Sequence, residues 1–177
     1  MQAARGAAVA AEPPEQIAAH RRTRWLATTA AVILVADVVS KQIVVAKLSD
    51  RAPVHVLGHF LMLTLTRNPG AAFSIGPGIT VVFTAVAVGV AVVIIRTARS
   101  LQSRAWATAL GLLLGGALGN LADRVFRSPA VFRGYVIDWI QLPHWPVFNL
   151  ADSAIVTGGL LAVLLATRGI ELDGSRR

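Results

Sequence analysis

Ile79-Thr-Val-Val-Phe-Thr-Ala-Val-Ala-Val-Gly-Val-Ala-Val-Val-Ile-Ile95 is a run of seventeen residues without a charge. A helix apolar on every face is either wholly buried or spans a membrane, and a span needs about 17–25 such residues. Three similar stretches lie on either side of it. Trp25 to Leu48, interrupted by Asp37 and Lys41, precedes it; Ala105 to Ala122, uncharged, and Val147 to Thr167, carrying only Asp152, follow. Three such uniform runs in 177 residues are too many for the buried helices of a soluble protein. The composition agrees, at 55% hydrophobic with a mean hydropathy of +0.63. The predicted fold class is an all-α membrane protein with four transmembrane helices. The first run follows Arg21, Arg22 and Arg24, as the core of a signal peptide does, but it is too long for one and carries Asp37 and Lys41. Residues 1–24 are expected to be a flexible cytoplasmic tail, 25–167 the four-helix membrane domain and 168–177 a second cytoplasmic tail.

Charge gives the orientation. Formal net charge is +8, from 17 Lys+Arg against 9 Asp+Glu. A nucleic-acid partner would call for basic residues gathered on one polar face; here they punctuate apolar runs, so membrane topology is their reading and no nucleic acid is expected. With four spans, the side holding both termini carries ten arginines: 5, 21, 22, 24, 96, 99, 104, 168, 176 and 177. The other side carries five, at 51, 67, 124, 127 and 133, with Lys47 at its border. The excess of positive charge predicts cytoplasmic termini. The outer loop Ser49–Arg67 alternates in part (Val54, Val56, then Phe60 to Leu65), which predicts a small extracytoplasmic β region. Tyr135, Trp139 and Trp145 suit the aromatic belt of the interface.

Most chemistries are absent from the pattern. With no cysteine, disulfides, thiolate metal sites and cysteine nucleophiles are excluded. The four histidines form no HExxH, and there is no Gly-x-Ser-x-Gly or phosphate-binding glycine loop. Ser40 and Lys41 are adjacent, so a helix points them apart. No metal and no cofactor are expected.

What remains is carboxylates. Asp138 and Asp152 sit at the edge of predicted spans, where a charge costs roughly 2.5–3.5 kcal/mol. Two carboxyls sharing a site split their pKa values, so that one holds a proton the other gives up. Asp152 opens a helix, where an N-terminal position favours negative charge; as an alternative it is a cap. Asp138 lies between Ile137 and Trp139, where desolvation favours the protonated form. Asp37 and Lys41, at i and i+4, read as an intrahelical ion pair supporting the site mouth. Asn68 offers a donor and an acceptor to an extended peptide. Gly111, Gly115, Gly116 and Gly119 form a face on which helices approach closely, with Gly115 and Gly116 also leaving room for substrate. Asn120, Asp123 and Arg124 share a face, with an Asp123–Arg124 ion pair expected at the helix end. Asn149 shares a face with Asp152.

Five motifs then stand in order: Asp37-x-x-Ser-Lys41, Asn68-x-Gly-Ala-Ala-Phe73, Gly115-Gly-Ala-Leu-Gly-Asn-Leu-x-Asp-Arg124, Val136-x-Asp-Trp-Ile140 and Phe148-Asn-x-Ala-Asp-Ser-Ala-Ile155. Together, over residues 25–167, they resemble the bacterial lipoprotein signal peptidase (signal peptidase II) family. The resemblance implies an intramembrane aspartic endopeptidase of the bacterial cytoplasmic membrane. Its substrate would be a diacylglyceryl-modified prolipoprotein, cut just before the lipidated cysteine, with membrane lipids around it and globomycin as an expected inhibitor. It implies Asp138 and Asp152 as the catalytic dyad, with Asp37, Lys41, Asn68, Gly115, Asn120, Asp123, Arg124 and Asn149 binding substrate or ordering the site. Two features depart from the family pattern. The Asp123-to-Asp138 interval is long and the Asp138-to-Asp152 interval short, and Trp139 stands where Phe is more usual. A transporter would instead place acids at mid-membrane with access from both sides, and a scaffold would not need two aspartates beside asparagines.

Overall fold

The computed structural model describes residues 14–70 and 79–176, with side chains from Arg21 onward outside the 71–79 gap. Ala71 to Ser74 of the second motif, and the first thirteen residues of the expected tail, lie outside the described residues. Helix α1 spans Pro14–Leu48. It begins eleven residues before the predicted span, because proline suits a first helical turn and no proline or glycine follows to interrupt the helix. Helices α2 (Ile79–Thr97), α3 (Arg104–Phe126) and α4 (Leu150–Thr167) complete the four predicted spans. All four are long and apolar enough to cross a membrane. Their outer faces expose Val32, Val35, Val82, Val93, Leu160 and Val163, a surface that only lipid would solvate well.

α3 is the central helix. Half of its apolar window is buried inside the protein, against 22% for each of the other three. The glycine face explains why. A Cβ on Gly111 would lie 2.8 Å from Thr29 Cβ, one on Gly115 2.7 Å from the Ala30 carbonyl of α1, and one on Gly116 2.5 Å from the Ala151 carbonyl of α4. In lipid such close backbone approach replaces the hydrophobic effect as the source of packing energy.

Strands β1 (Val54–Leu57), β2 (Leu61–Asn68) and β3 (Val136–Gln141) form one antiparallel sheet in the order β1-β2-β3. The first two fall in the loop predicted to be β; β3 falls in a segment read only as a loop. Two tethers hold β3. Gly134 donates its N–H to the Arg124 carbonyl at 3.0 Å and packs where a side chain would strike the last carbonyls of α3. Toward its far end Ile140 bridges to Phe148, whose N–H donates to the Ile140 carbonyl at 3.0 Å. The short Asp138-to-Asp152 interval is closed by that bridge, which delivers Asn149 and the start of α4 beside Asp138. The segment after Thr167, expected as a tail, folds back: Leu172 accepts hydrogen bonds from Gln102 and Ser103 N–H groups, both at 3.0 Å.

Candidate active site

Four aspartates meet where α1, α3, α4 and β3 converge, and they fall into two pairs. Asp37 and Asp123 are neutralised by cations. Lys41, fully buried, places Nζ 2.7 Å from Asp37 Oδ2 and 2.9 Å from Asp123 Oδ2. Arg127 closes on the other oxygen of Asp123. Asp37 also accepts from the Ala151 N–H at 2.9 Å, which ties α1 to the first turn of α4. Asp123 accepts from the Ile137 N–H at 3.1 Å, which ties α3 to β3. The expected Asp123–Arg124 pair does not form. Adjacent residues on a helix point about 100° apart, so Asp123 finds Arg127 one turn on. Arg124 instead reaches the Gly134 carbonyl at 3.4 Å and lies 6.0 Å over the Phe83 ring.

Asp138 and Asp152 are held by amides instead. Among the described residues neither joins an ion pair. Asp138, 2% exposed, accepts from Asn68 Nδ2 at 2.8 Å on one oxygen and from Asn149 Nδ2 at 2.6 Å on the other. In the β2–β3 register Asn68 faces Val136, so its amide reaches Asp138 diagonally, two residues along the same face. Asp152 accepts from Asn120 Nδ2 at 2.8 Å and from the Asn149 N–H at 3.2 Å. Asn149 caps α4, its Oδ1 accepting from the Asp152 N–H at 2.9 Å, while the Asp152 side chain returns the bond: a capping box. The cap expected of Asp152 is thus shared, with Asn149 as the N-cap and Asp152 at N3.

The amides are oriented. Lys41 Nζ can only donate, and it donates to Asn120 Oδ1 at 3.0 Å; Asn149 Nδ2 donates to the same oxygen at 3.2 Å. Asn120 must therefore turn its NH2 to Asp152. Asn149, whose oxygen is taken by the Asp152 N–H, must turn its NH2 to Asp138. Fully buried Asn149 is the bridge between the two carboxyls. Burial pushes Asp138 up to about 6, helped by the negative charge of Asp152 and opposed by the Asn68 and Asn149 amides.

A cavity of about 370 Å³ opens beside this cluster. Phe83, Val86, Ala87 and Val90 of α2 form one wall, Leu113, Ala117 and Leu121 of α3 another, and Asn68, Asn120, Arg124 and Asp152 give it a polar end. Asp138 stands behind Asn68, outside the lining. Gly115, Asp37, Lys41 and Asp123 are also outside it: Gly115 faces α1, and the three charged groups lie behind Asn120. Arg127 and the Ile137 N–H were not singled out from the sequence, although the i, i+4 spacing of Asp123 and Arg127 signals the first.

Comparison with known proteins identifies the family of the chain. A model of the signal peptidase (SPase) II family matches residues 29–168. The lipoprotein signal peptidase of Streptomyces coelicolor is 51% identical over 162 residues, 92% of this chain and 79% of that one. That of Mycobacterium tuberculosis is 45% identical over 160 residues, covering 90% and 79%. A bacterial membrane enzyme solved by the in meso method at 1.9 Å superposes with a TM-score of 0.70 at 28% identity, over 78% of this chain and 90% of that one. This chain belongs to the signal peptidase II family.

Proposed function

We propose that this peptidase cleaves the signal peptide from diacylglyceryl-modified prolipoproteins, just before the lipidated cysteine, with Asp138 and Asp152 as its catalytic dyad. The observation that carries the assignment is the partition of the four aspartates. Lys41 and Arg127 neutralise Asp37 and Asp123 by direct ion pairs, which makes them poor acid–base groups, whereas Asp138 and Asp152 take their hydrogen bonds from amides and are coupled through Asn149. In this reading Asp152, against the cavity, is the base that takes a proton from the attacking water. Asp138, pushed up to about 6, is the acid that protonates the scissile carbonyl oxygen; as the C–N bond breaks, Asp152 passes the proton taken from water to the leaving nitrogen and Asp138 takes a proton back from the gem-diol hydroxyl, so both return to their starting states. Lys41 positions Asn120, and Asn149 and Asn68 fix Asp138; these groups order the dyad and do not react. Asn68 and Arg124, on the polar end of the cavity, bind the peptide backbone, and the apolar walls receive the acyl chains. Each buried methylene contributes about 0.8 kcal/mol, so a diacylglyceryl group binds largely through its chains. Globomycin sensitivity belongs to the same reading.

The termini are cytoplasmic and the dyad lies near the extracytoplasmic face, as the arginine distribution favours. Purified enzyme given a diacylglyceryl-modified prolipoprotein and its unlipidated counterpart tests the substrate class. The lipidated form is expected to be cut and the other spared; equal cleavage of both would remove lipid from the specificity.

A further inference from the structure

The end of the bundle opposite the aspartates carries a second pocket. It measures about 240 Å³ and is lined by Arg21, Arg22, Arg24, Trp25 and Thr28 of α1 and by Arg104 of α3. Four arginines therefore line one depression, and no acidic side chain lines it among the described residues. Glu171 and Asp173, the carboxylates near this end, belong to a separate depression with Ser100 and Ser175.

The pocket is built rather than merely charged. Arg22 Nε donates to the Gln102 carbonyl at 2.9 Å, fixing that guanidinium against the α2–α3 connection. Trp25 Nε1 donates to Thr108 Oγ1 at 3.0 Å, and Arg104 lies 6.0 Å from the centre of its ring. Indole and guanidinium are thus held together across the α1–α3 seam. Arg104 is also the first residue of α3, so the positive end of that helix adds to the field.

The surface next to the pocket is apolar. Trp25, Val32, Val35 and Val39 recur along α1 at intervals of seven, three and four, on one face, and each is about half exposed or more. The resulting arrangement is a basic pocket with an indole at its rim, opening onto a lipid-facing stripe.

We infer that this pocket binds the phosphodiester headgroup of an anionic phospholipid, with an acyl chain lying along the Val32–Val35–Val39 stripe. Phosphoryl oxygens match the planar donor forks of arginine, and basic pockets between helices at a membrane surface recognise such headgroups. A soluble phosphoryl ligand would use the arginines but would have no need of the stripe. Lipid held here would join α1 to α3, the two helices that carry Lys41 and Asn120 at their other ends.

Native mass spectrometry of the full chain in detergent, with added phosphatidylglycerol or phosphatidylcholine, tests the assignment. A basic residue near an anionic headgroup contributes about fivefold in binding, so wild type is expected to retain phosphatidylglycerol roughly tenfold or more over phosphatidylcholine. R21Q/R24Q/R104Q loses the preference, while R96Q/R99Q, which removes the same kind of charge outside the pocket, keeps it. R21K/R24K/R104K, which preserves charge and removes the forks, retains only part of it, and near-UV circular dichroism reports the folding of each variant. Equal loss in R96Q/R99Q, undiminished preference in R21Q/R24Q/R104Q, or displacement of the lipid by inorganic phosphate would overturn the proposal. The last outcome would assign the pocket to a soluble ligand.

Discussion

Asn149→Asp is the sharpest perturbation of the site, because it changes one amide into one carboxylate and almost nothing else. Aspartate caps a helix as well as asparagine, so the bond to the Asp152 N–H at 2.9 Å survives. What is lost is the donor 2.6 Å from Asp138 Oδ1 and 3.2 Å from Asn120 Oδ1. A second negative charge then faces Asp138. At about 4 Å between charge centres and an effective dielectric of about 20, the repulsion is about 4 kcal/mol, equivalent to about three pKa units. The protein avoids it by keeping a proton. A carboxyl whose folded pKa is raised stabilises the fold at low pH and loses that stability as pH rises. The variant is therefore expected to unfold about 4 kcal/mol more easily than wild type at pH 8 and to recover most of that loss near pH 5. Cleavage of a lipidated fluorogenic peptide should fall at least about 100-fold at neutral pH, since a misplaced acid–base pair forfeits contributions of roughly that size. Asn149→Ser is the control: it keeps the cap and adds no charge, so its loss, about 1.5–3 kcal/mol for an unmet hydrogen bond to a charged group, should be the smaller pH dependence of the two. Unfolding midpoints in detergent at both pH values, with initial cleavage rates, decide the matter. Wild-type activity and pH-independent stability in Asn149→Asp would refute the bridging role of this amide.

Other expectations follow from the same geometry. Lys41→Met leaves Asp37 and Asp123 buried without their shared cation and should cost about 3–5 kcal/mol, measured by chemical unfolding in detergent. Gly116→Ala puts a methyl 2.5 Å from the Ala151 carbonyl and should destabilise by about 1–3 kcal/mol, whereas Gly159→Ala, with nothing within 4 Å, should be neutral or gain up to about 1 kcal/mol. In the proposed mechanism Asp138 acts as the acid only while protonated, and it is pushed up to about 6, so kcat/KM should fall as pH rises through that region, with apparent values that belong to the pair. Its raised value also means that the folded state holds a proton that the unfolded chain releases near pH 4. Stability should thus decline between about pH 4 and 6, and the decline should vanish in Asp138→Asn.

The membrane fold was legible because lipid makes it so. Four apolar runs with few charges leave a chain little alternative, and a helix lies on each run, α1 extending eleven residues ahead of its own. The glycine face was legible for a related reason: Gly111, Gly115 and Gly116 recur on one face of α3, the pattern of close helix packing in lipid. Strand β3 was not legible. Val136 to Gln141 is short and buried at its start, without the alternation that marks a half-exposed strand, and its place depends on Gly134 and the distant Phe148 bridge. The aspartates could be found by their cost, yet their partition could not, since which carboxylate meets Lys41 depends on how α1 packs against α3. Adjacency in the sequence suggested Arg124 as the partner of Asp123; helical spacing turns Arg124 aside and brings Arg127, four residues on, to Asp123 instead. Asn149 was legible as a neighbour of Asp152, but its bridge to Asp138 exists only once β3 is folded beside α4.

The central claim is that two amide-held carboxyls carry the chemistry and two cation-held carboxyls carry the structure. Cleavage of a lipidated prolipoprotein by Asp138→Asn, Asp152→Asn and Asp123→Asn, each checked for folding by its thermal transition, tests it most directly. The first two should lose at least about 1,000-fold in kcat while remaining folded, and the third should lose stability before it loses chemistry. A folded Asp138→Asn or Asp152→Asn enzyme that still cuts at the wild-type rate would contradict it.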